Sequence, residues 1–188
     1  MTTPRPMRAD AVRNRRKILD AAEQQITTHG PEVGMDEIAR AAEVAVGTLY
    51  RHFPTKADLL AAVIAEYVAD VADDAEASLA RAREGTAAAD EVVGFLGRVV
   101  ESSAHNHAIK AAYGMGVEGH GDQPDEARAG AALAELLRMG ERVGDIRAGV
   151  GVDDIYLLMA TMPTDQPAAV RSRWLDLMLP GITTRSVG

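Results

Sequence analysis

The chain has 188 residues, of which 47% are hydrophobic and 26% are charged, a composition typical of folded globular proteins. Aromatic residues make up only 4% and cysteine is absent, which excludes an all-β fold, disulfides, thiol catalysis and zinc-thiolate sites. The longest uncharged apolar run, 155–162, is far shorter than the roughly 20 residues of a membrane span. No apolar stretch follows the basic start, as it would in a secretory signal. We therefore expect a cytoplasmic protein without a membrane partner.

The charge is divided unevenly along the chain. Residues 1–56 contain nine Lys or Arg and seven Asp or Glu, whereas residues 57–188 contain eleven and twenty-one. The first part is therefore slightly positive, although the whole chain has a formal net charge of −8. Within the first seventeen residues, six basic side chains face a single acid, which indicates a basic arm suited to phosphates. The alternative is a solvated tail that only aids solubility.

Apolar spacing in the first part of the chain predicts helices and no strand. Gly30 and Pro31 are expected to end the first helix, and Pro54 the third. Thr55 fits an N-cap with Asp58 as the acidic partner of a capping box, so a long helix is expected to begin there. The four predicted helices are 10–29, 34–42, 46–53 and 55–82.

The rest of the chain continues the helical pattern with broad apolar faces. The segment Gly114–Pro124 is rich in glycine and is predicted to be a loop or a broken helix end. The predicted helices are 90–106, a shorter one through 112, 125–142, 152–162 and 168–179. The chain is thus predicted to be all-α, and no repeat of roughly 20 to 50 residues indicates a solenoid.

Two short helices joined by Glu43–Ala45 fit a helix-turn-helix, whose second helix enters the major groove of DNA. On that second helix Leu49 and Phe53 lie four residues apart and are expected to face the small core. The outward residues that could touch bases are Val46, Gly47, Tyr50 and Arg51, and those that could donate to phosphate oxygens are Thr48, His52 and Lys56. A generic amphipathic helix hairpin would show the same spacing.

The run GTLYRHFPTK at 47–56, preceded by IARAA at 38–42 and by ILDAA at 18–22, resembles the DNA-binding domain of TetR-type transcriptional regulators. The remaining two-thirds of the chain match that family only in architecture, with a long connecting helix and a helical bundle. The resemblance implies an N-terminal three-helix helix-turn-helix domain with the basic arm at 1–55. It also implies a C-terminal helical bundle at 56–188 for dimerisation and ligand binding.

The resemblance also implies roles for the residues that match the motif. Those implied to contact phosphates are Thr48, His52 and Lys56, and those implied to lie against base edges and thymine methyls are Val46, Gly47 and Tyr50. The expected function is that of a homodimeric repressor that binds a palindromic double-stranded DNA operator and is released by a small, largely apolar effector. The alternative from another class is a helical protein-protein adaptor with a residual helix-turn-helix domain.

Two residues depart from the pattern of the family. Glu43 stands in the turn where glycine is usual, and its charge slightly opposes phosphate approach. Ala45 stands where Ser or Thr often caps the recognition helix, and alanine at an N-cap forgoes about 1 kcal/mol. Val46 and Gly47 offer no side-chain hydrogen bond to bases, so direct readout is expected to depend on Tyr50, Arg51, apolar contact with thymine and the basic arm in a minor groove.

The C-terminal helices carry more apolar surface than one small bundle needs, so we expect a four-helix contact between two copies. The residues of this dimer interface are predicted to be Ile155, Leu158, Met162, Trp174, Leu175 and Met178. An apolar ligand pocket is predicted beside the long helix, lined by Phe95, Tyr113, Met115 and Met159. Ordinary core packing is the alternative for both sets.

Patterns that would indicate an enzyme are incomplete. His105 and His107 are two residues apart on a helix and point to different sides, so they cannot chelate a metal together. His120 and Asp122 form only one pair in a loop, and Gly114–Gly121 lacks the Gly-Lys-Ser/Thr ending of a phosphate loop. No nucleophile with a base partner is evident. We therefore expect no catalytic residue, no metal, no cofactor and no enzymatic activity.

Overall fold

The computed structural model describes residues 5–30, 32–113 and 124–184, with the backbone alone for 5–9 and 103–113. Over these ranges every regular element is an α-helix, which confirms the predicted fold class. The helices are α1 (Arg5–His29), α2 (Met35–Ala41), α3 (Val46–His52), α4 (Lys56–Arg83), α5 (Ala88–Tyr113), α6 (Pro124–Val143), α7 (Val152–Ala160) and α8 (Ala168–Ile182). None of these described helices is long and apolar enough to cross a membrane.

The second part of the chain differs from the prediction at α5 and at the segment that follows it. The two helices predicted up to residue 112 are one helix, α5, because no glycine or proline interrupts residues 98–113. Residues 114–123 of the predicted loop lie outside the described residues. Pro124 is the first residue of α6, where a missing N–H costs no helical hydrogen bond.

The last helix runs three residues beyond its predicted end. α8 passes through Pro180 to Ile182, although the sequence predicts an end at Leu179. Proline removes one hydrogen bond from the last turn, but its carbonyl gains another, because Arg147 Nε donates to the Pro180 oxygen at 2.7 Å. A proline near a helix end is therefore tolerated here.

The described residues up to Glu66, together with 105–113, form one compact unit of α1, α2, α3, the first part of α4 and the end of α5. α1 packs against α2 and α3, and α2 packs against α3. The largest fully buried side chains of this unit are Ile18, Leu19, Ile26, Ile38, Leu49 and Leu59. The predicted capping box is confirmed, since the Thr55 amide donates to the Asp58 carboxylate at 3.0 Å and the Asp58 amide donates to Thr55 Oγ1 at 3.1 Å.

Residues 67–104 and the described residues from 124 onward form a second compact unit. Its core is an apolar cluster of residues from α4 to α8, and Phe95 is the largest side chain that is fully buried in it. Charged side chains cross-link its helices. Arg98 of α5 donates to both carboxylate oxygens of Asp74, at 3.0 and 2.9 Å. Arg128 of α6 donates to Asp73 at 2.7 Å and to Glu76 at 2.6 Å, so α4 is tied to both neighbouring helices.

Helix α6 approaches the loop that follows it very closely at Gly140. A Cβ atom at this position would lie well inside van der Waals contact with Ile146 Cγ1. Ile146 is buried, and its amide donates to the Gly140 carbonyl at 3.2 Å. An isolated antiparallel bridge also pairs Ile146 with Thr183 after α8. The loop can close on α6 in this way because residue 140 has no side chain.

We expect Gly140→Ala to lower the free energy of unfolding by about 1–3 kcal/mol, because the added methyl group displaces Ile146 or the backbone. Gly97→Ala on α5 is the matched control, since a Cβ atom there meets no atom within 4 Å. Replacing this helical glycine should leave stability unchanged or raise it by up to about 1 kcal/mol. Urea unfolding followed by circular dichroism measures both variants, and equal midpoints would contradict the close approach.

Candidate nucleic-acid interface

The turn between α2 and α3 is closed by backbone hydrogen bonds. The Glu43 amide donates to the Arg40 carbonyl at 3.2 Å, and the Val44 amide donates to the Ala39 carbonyl at 3.0 Å. Glu43 has a φ of 55° and is the one non-glycine residue with a positive φ in the described chain. This left-handed conformation costs a residue with a side chain about 1–2 kcal/mol. The positive φ is the physical reason why glycine suits this position.

The inner face of α3 is buried as predicted. Leu49 is fully buried and Phe53 nearly so. The Arg15 guanidinium lies 5.4 Å from the centroid of the Phe53 ring, within the range of a cation–π contact. Ala45 supplies no side-chain cap to the helix. Because α3 has only seven residues and so short a helix is unstable alone, its position depends on the packing of Leu49 and Phe53.

The opposite face of α3 is open to solvent. Tyr50 is 45% exposed and Val46 is 40% exposed, and the exposed Gly47 lies on the same helix between them. Arg51 is exposed as well, but its guanidinium folds back along the helix. Its Nε donates to the Gly47 carbonyl at 3.0 Å, and its Nη2 donates to the Thr48 hydroxyl at 3.4 Å. Arg51 therefore lies along the helix surface with part of its donors already in use.

The residues predicted to contact phosphates lie on α3 and at the start of α4. Thr48 and His52 are half-buried on α3, and Lys56 is the half-buried first residue of α4. We call the whole set the recognition face: Val46, Gly47, Thr48, Tyr50, Arg51, His52 and Lys56. The structure brings these residues into one compact unit. Their contact with DNA stays a prediction.

Most of the described cations of α1 are paired with acids. The pairs are Arg13 with Asp10, Arg16 with Asp20 and with Glu66, and Lys17 with Glu43 at 3.6 Å. Arg15 is different, because it contacts the Phe53 ring and has no ion pair within the described residues. Charge counting along the sequence did not predict this contact, which the proximity of α1 to α3 produces. The side chains of Arg5 and Arg8, in the predicted basic arm, lie outside the described residues.

The six residues predicted to form a dimer interface are divided between core and surface. Ile155 and Leu175 are buried in the core of their own unit, and Leu158, Met162 and Trp174 are half-buried against it. Met178 is exposed, and it is accompanied by apolar side chains that the sequence analysis did not select. The exposed apolar residues of α7 and α8 are Leu157, Val170, Leu177 and Met178. The spacing of 170, 174, 177 and 178 is the helical signal that could have identified this second face.

The predicted ligand pocket is only partly described. Phe95 is fully buried in the core, and Met159 is half-buried against the same cluster. The side chain of Tyr113 and all of Met115 lie outside the described residues. The same holds for the side chains of the four histidine and aspartate candidates weighed as metal ligands, which are His105, His107, His120 and Asp122. Within the described residues, no group of three or more His, Asp or Glu could hold a metal ion.

Two tyrosines of the second unit have perturbed hydroxyl groups. Burial raises the pKa of Tyr67, and a hydrogen bond with Ser102 offsets part of this effect. Burial also raises the pKa of Tyr156, and the nearby carboxylates of Glu126 and Asp153 raise it further. Both hydroxyls are therefore neutral at physiological pH and act as hydrogen-bonding groups rather than as bases.

Two family models match this chain. The model of bacterial regulatory proteins of the tetR family matches residues 18–63, which include the turn and the recognition face. The model of the SbtR-like transcriptional regulator C-terminal domain matches residues 87–184, about half of the chain. Among curated proteins, an HTH-type transcriptional regulator of Staphylococcus aureus is 42% identical over 59 residues. That alignment covers 31% of this chain and only 32% of the relative.

Solved structures match over nearly the whole chain. A TetR transcription regulatory protein from Mycobacterium vanbaalenii is 35% identical with a TM-score of 0.71, and the match covers 95% of this chain and 99% of that one. A TetR transcriptional regulator from Streptomyces coelicolor is 28% identical with a TM-score of 0.68, covering 90% and 98%. The chain therefore belongs to the TetR family of DNA-binding, helix-turn-helix transcriptional regulators.

Proposed function

We propose that the protein is a ligand-responsive repressor that binds a palindromic operator as a homodimer and is released by a small, largely apolar effector. The recognition face carries this proposal. Its open surface combines an aromatic ring at Tyr50, an apolar methyl surface at Val46 and the backbone of Gly47, held in place by the buried Leu49. Such a surface fits the floor of a major groove, where thymine methyls and base edges are accessible.

Contact of Arg51 with a base requires its guanidinium to leave the helix surface. Its guanidinium donates to the Gly47 carbonyl and the Thr48 hydroxyl. The guanidinium is exposed, so it can rotate away from the helix and donate two parallel hydrogen bonds to a guanine. The Thr48 hydroxyl accepts from Arg51, so its own proton is available to donate to a phosphate oxygen.

Fluorescence anisotropy with DNA that flanks the protein's own gene tests operator binding. We expect tight binding that weakens steeply between low and high salt, because phosphate contacts release counterions. Tyr50→Ala should abolish binding without unfolding the protein, since the side chain is 45% exposed. Arg51→Ala should weaken binding, while Arg83→Ala, which removes an exposed arginine at the end of α4, serves as the matched control.

Binding that survives Tyr50→Ala at every salt concentration would contradict the recognition face. Selection of sites from the whole genome extends the test if the flanking DNA does not bind. Failure of both assays would favour the adaptor function. Binding of a protein partner through an apolar surface would then show little salt dependence.

Glu43 reduces both the stability of the turn and its attraction for phosphates. We expect Glu43→Gly to raise the free energy of unfolding by about 0.5–1 kcal/mol, because glycine adopts a positive φ without steric cost. Glu43→Gln keeps the side chain but removes its charge, so it should not stabilise the fold. Both variants should bind DNA several-fold more tightly at low salt, since each removes a negative charge and frees Lys17. Urea unfolding and anisotropy measure the two effects, and stabilisation by Glu43→Gln would contradict the backbone explanation.

Association of two copies is proposed to bury the exposed apolar face of α7 and α8, which consists of Leu157, Val170, Leu177 and Met178. Isolated exposed apolar side chains are common on monomers, whereas a contiguous apolar patch marks an interaction surface, and three of these four residues lie within nine positions of α8. Trp174 and Met162 are half-buried and lie close to these residues in the sequence. They extend the apolar face toward the core. A two-fold contact through α7 and α8 would form the predicted four-helix arrangement.

We expect Leu157→Glu to convert the dimer to a monomer, because a charge in the centre of an apolar interface is desolvated without a partner. Val143→Glu on α6 is the matched control, since Val143 is 69% exposed and Leu157 is 64% exposed. Sedimentation velocity gives the mass of each variant. The same molar mass for Leu157→Glu and the unchanged protein would place the interface elsewhere.

Release from DNA is proposed to follow from a shift in population. An effector that binds better to the conformation that does not fit the operator lowers DNA affinity by its preference for that conformation. Two half-sites must be contacted at once by a dimer, so a small change in the spacing of the two recognition faces is sufficient.

A further inference from the structure

A cavity of about 350 Å³ lies between α5 and α8 in the second unit. Gly94 and Gly97 of α5 form one wall, and Ala168 and Leu175 of α8 form part of the other. A Cβ atom at Gly97 would meet nothing within 4 Å, so this wall is open because residue 97 lacks a side chain. The volume lies in the range of sites that bind small organic molecules.

A buried cation also lines this cavity. Arg171 of α8 is 7% exposed, and its guanidinium donates from Nε to the Val100 carbonyl at 3.3 Å and from Nη1 to the Gln166 carbonyl at 2.5 Å. Its Nη2 makes no hydrogen bond within the described residues. Every buried side-chain nitrogen of these residues has a hydrogen-bond partner, so Nη2, which has none, is in contact with solvent. The open space that Arg171 lines is the cavity.

The partners of Arg171 leave its charge uncompensated. Both are neutral carbonyl groups, and no carboxylate of the described residues forms an ion pair with Arg171. A buried guanidinium without a counter-charge is unfavourable. A carboxylate that enters the cavity would accept charge-assisted hydrogen bonds from Nη2 and neutralise this charge. The carbonyl partners of Arg171 therefore leave room for an anionic group to pair with it.

The other charged groups at the cavity restrict the kind of anion. Glu101 of α5 and Asp176 of α8 also line it, and both are exposed, so their charges are screened but still repel a second negative charge. Arg98 lines the cavity as well, but its guanidinium is held by Asp74 and Ser78. A phosphate dianion is disfavoured by this rim, whereas a single carboxylate with an apolar body is compatible with it.

We propose that the cavity between α5 and α8 binds the effector, and that the effector is a monocarboxylate with a compact apolar body. The carboxylate contacts Arg171, and the body lies against Gly94, Gly97 and Leu175. This inference depends on the proposed function as a ligand-responsive regulator, and it identifies the site and the chemical class of the ligand. It differs from the pocket predicted around Phe95, whose side chain is buried in the core.

Tryptophan fluorescence gives a direct test of ligand binding, because Trp174 is the single tryptophan of the chain and follows Arg171 by three residues on α8. The full-length protein is titrated with octanoate while tryptophan fluorescence is recorded. Octylamine has the same chain length and the opposite charge, and it is the matched ligand control. We expect saturable binding of octanoate and at least tenfold weaker binding of octylamine. In parallel, octanoate should lower the affinity for DNA in the anisotropy assay.

Two variants test the site itself. Arg171→Gln should weaken octanoate binding by about tenfold or more, the effect of losing one charge-assisted hydrogen bond. Arg173→Gln, on the same helix and exposed, should leave binding unchanged. Gly97→Leu fills the cavity while Arg171 is kept and should abolish binding, which keeps the test valid if Arg171→Gln fails to fold.

Three results would overturn the inference: octanoate fails to saturate the signal, octanoate and octylamine bind equally, or Gly97→Leu binds octanoate like the unchanged protein. Saturable binding that leaves DNA affinity unchanged would overturn the effector role of the cavity. Binding of operator DNA in the absence of octanoate is measured separately. If the protein binds operator DNA but not octanoate, this inference fails. If it does not bind operator DNA, the proposed regulatory function fails.

Discussion

The burial of Leu49 and Phe53 is the constraint on which the candidate DNA-binding site depends. Helix α3 has seven residues and no side-chain cap, so its own hydrogen bonds cannot keep it folded. Leu49 of α3 and Phe53, the residue that follows the helix, are held in the core formed with α1 and α2, and Tyr50 and Arg51 between them are exposed. The stability of the helix and the composition of its outer face are therefore consequences of the same packing.

Local rules predicted most of the fold correctly. The capping box at Thr55 and Asp58 depends on two residues three positions apart, and the inner face of α3 depends on the spacing of Leu49 and Phe53. The residues that form such short-range patterns are close together in the sequence, so the patterns can be recognised without the structure. The division of α5 into two helices was wrong, because no glycine or proline in residues 98–113 ends the helix.

In the second unit, the helical period of the sequence does not decide which apolar residues are buried. Ile155 and Leu157, like Leu175 and Leu177, differ by two positions, and one of each pair is buried while the other is exposed. Both faces of these helices are apolar, so the pattern cannot say which face meets the protomer's own core. Arg171 was not predicted as buried for a related reason. Its partner Val100 is 71 positions away in sequence, and only the tertiary fold brings a carbonyl group to it.

The two ends of α8 are attached in different ways. At its C-terminal end, the Arg147 amide donates to the Ile182 carbonyl at 2.8 Å and the Thr184 amide donates to the Asp145 carbonyl at 3.0 Å, so backbone pairing prevents the fraying usual at a terminal helix. At its N-terminal end, the contacts of Arg171 are made by a side chain, which can rotate. A displacement at Arg171 would therefore tilt α8 about its paired end, and Leu177 and Met178, near that end, would move less than Val170.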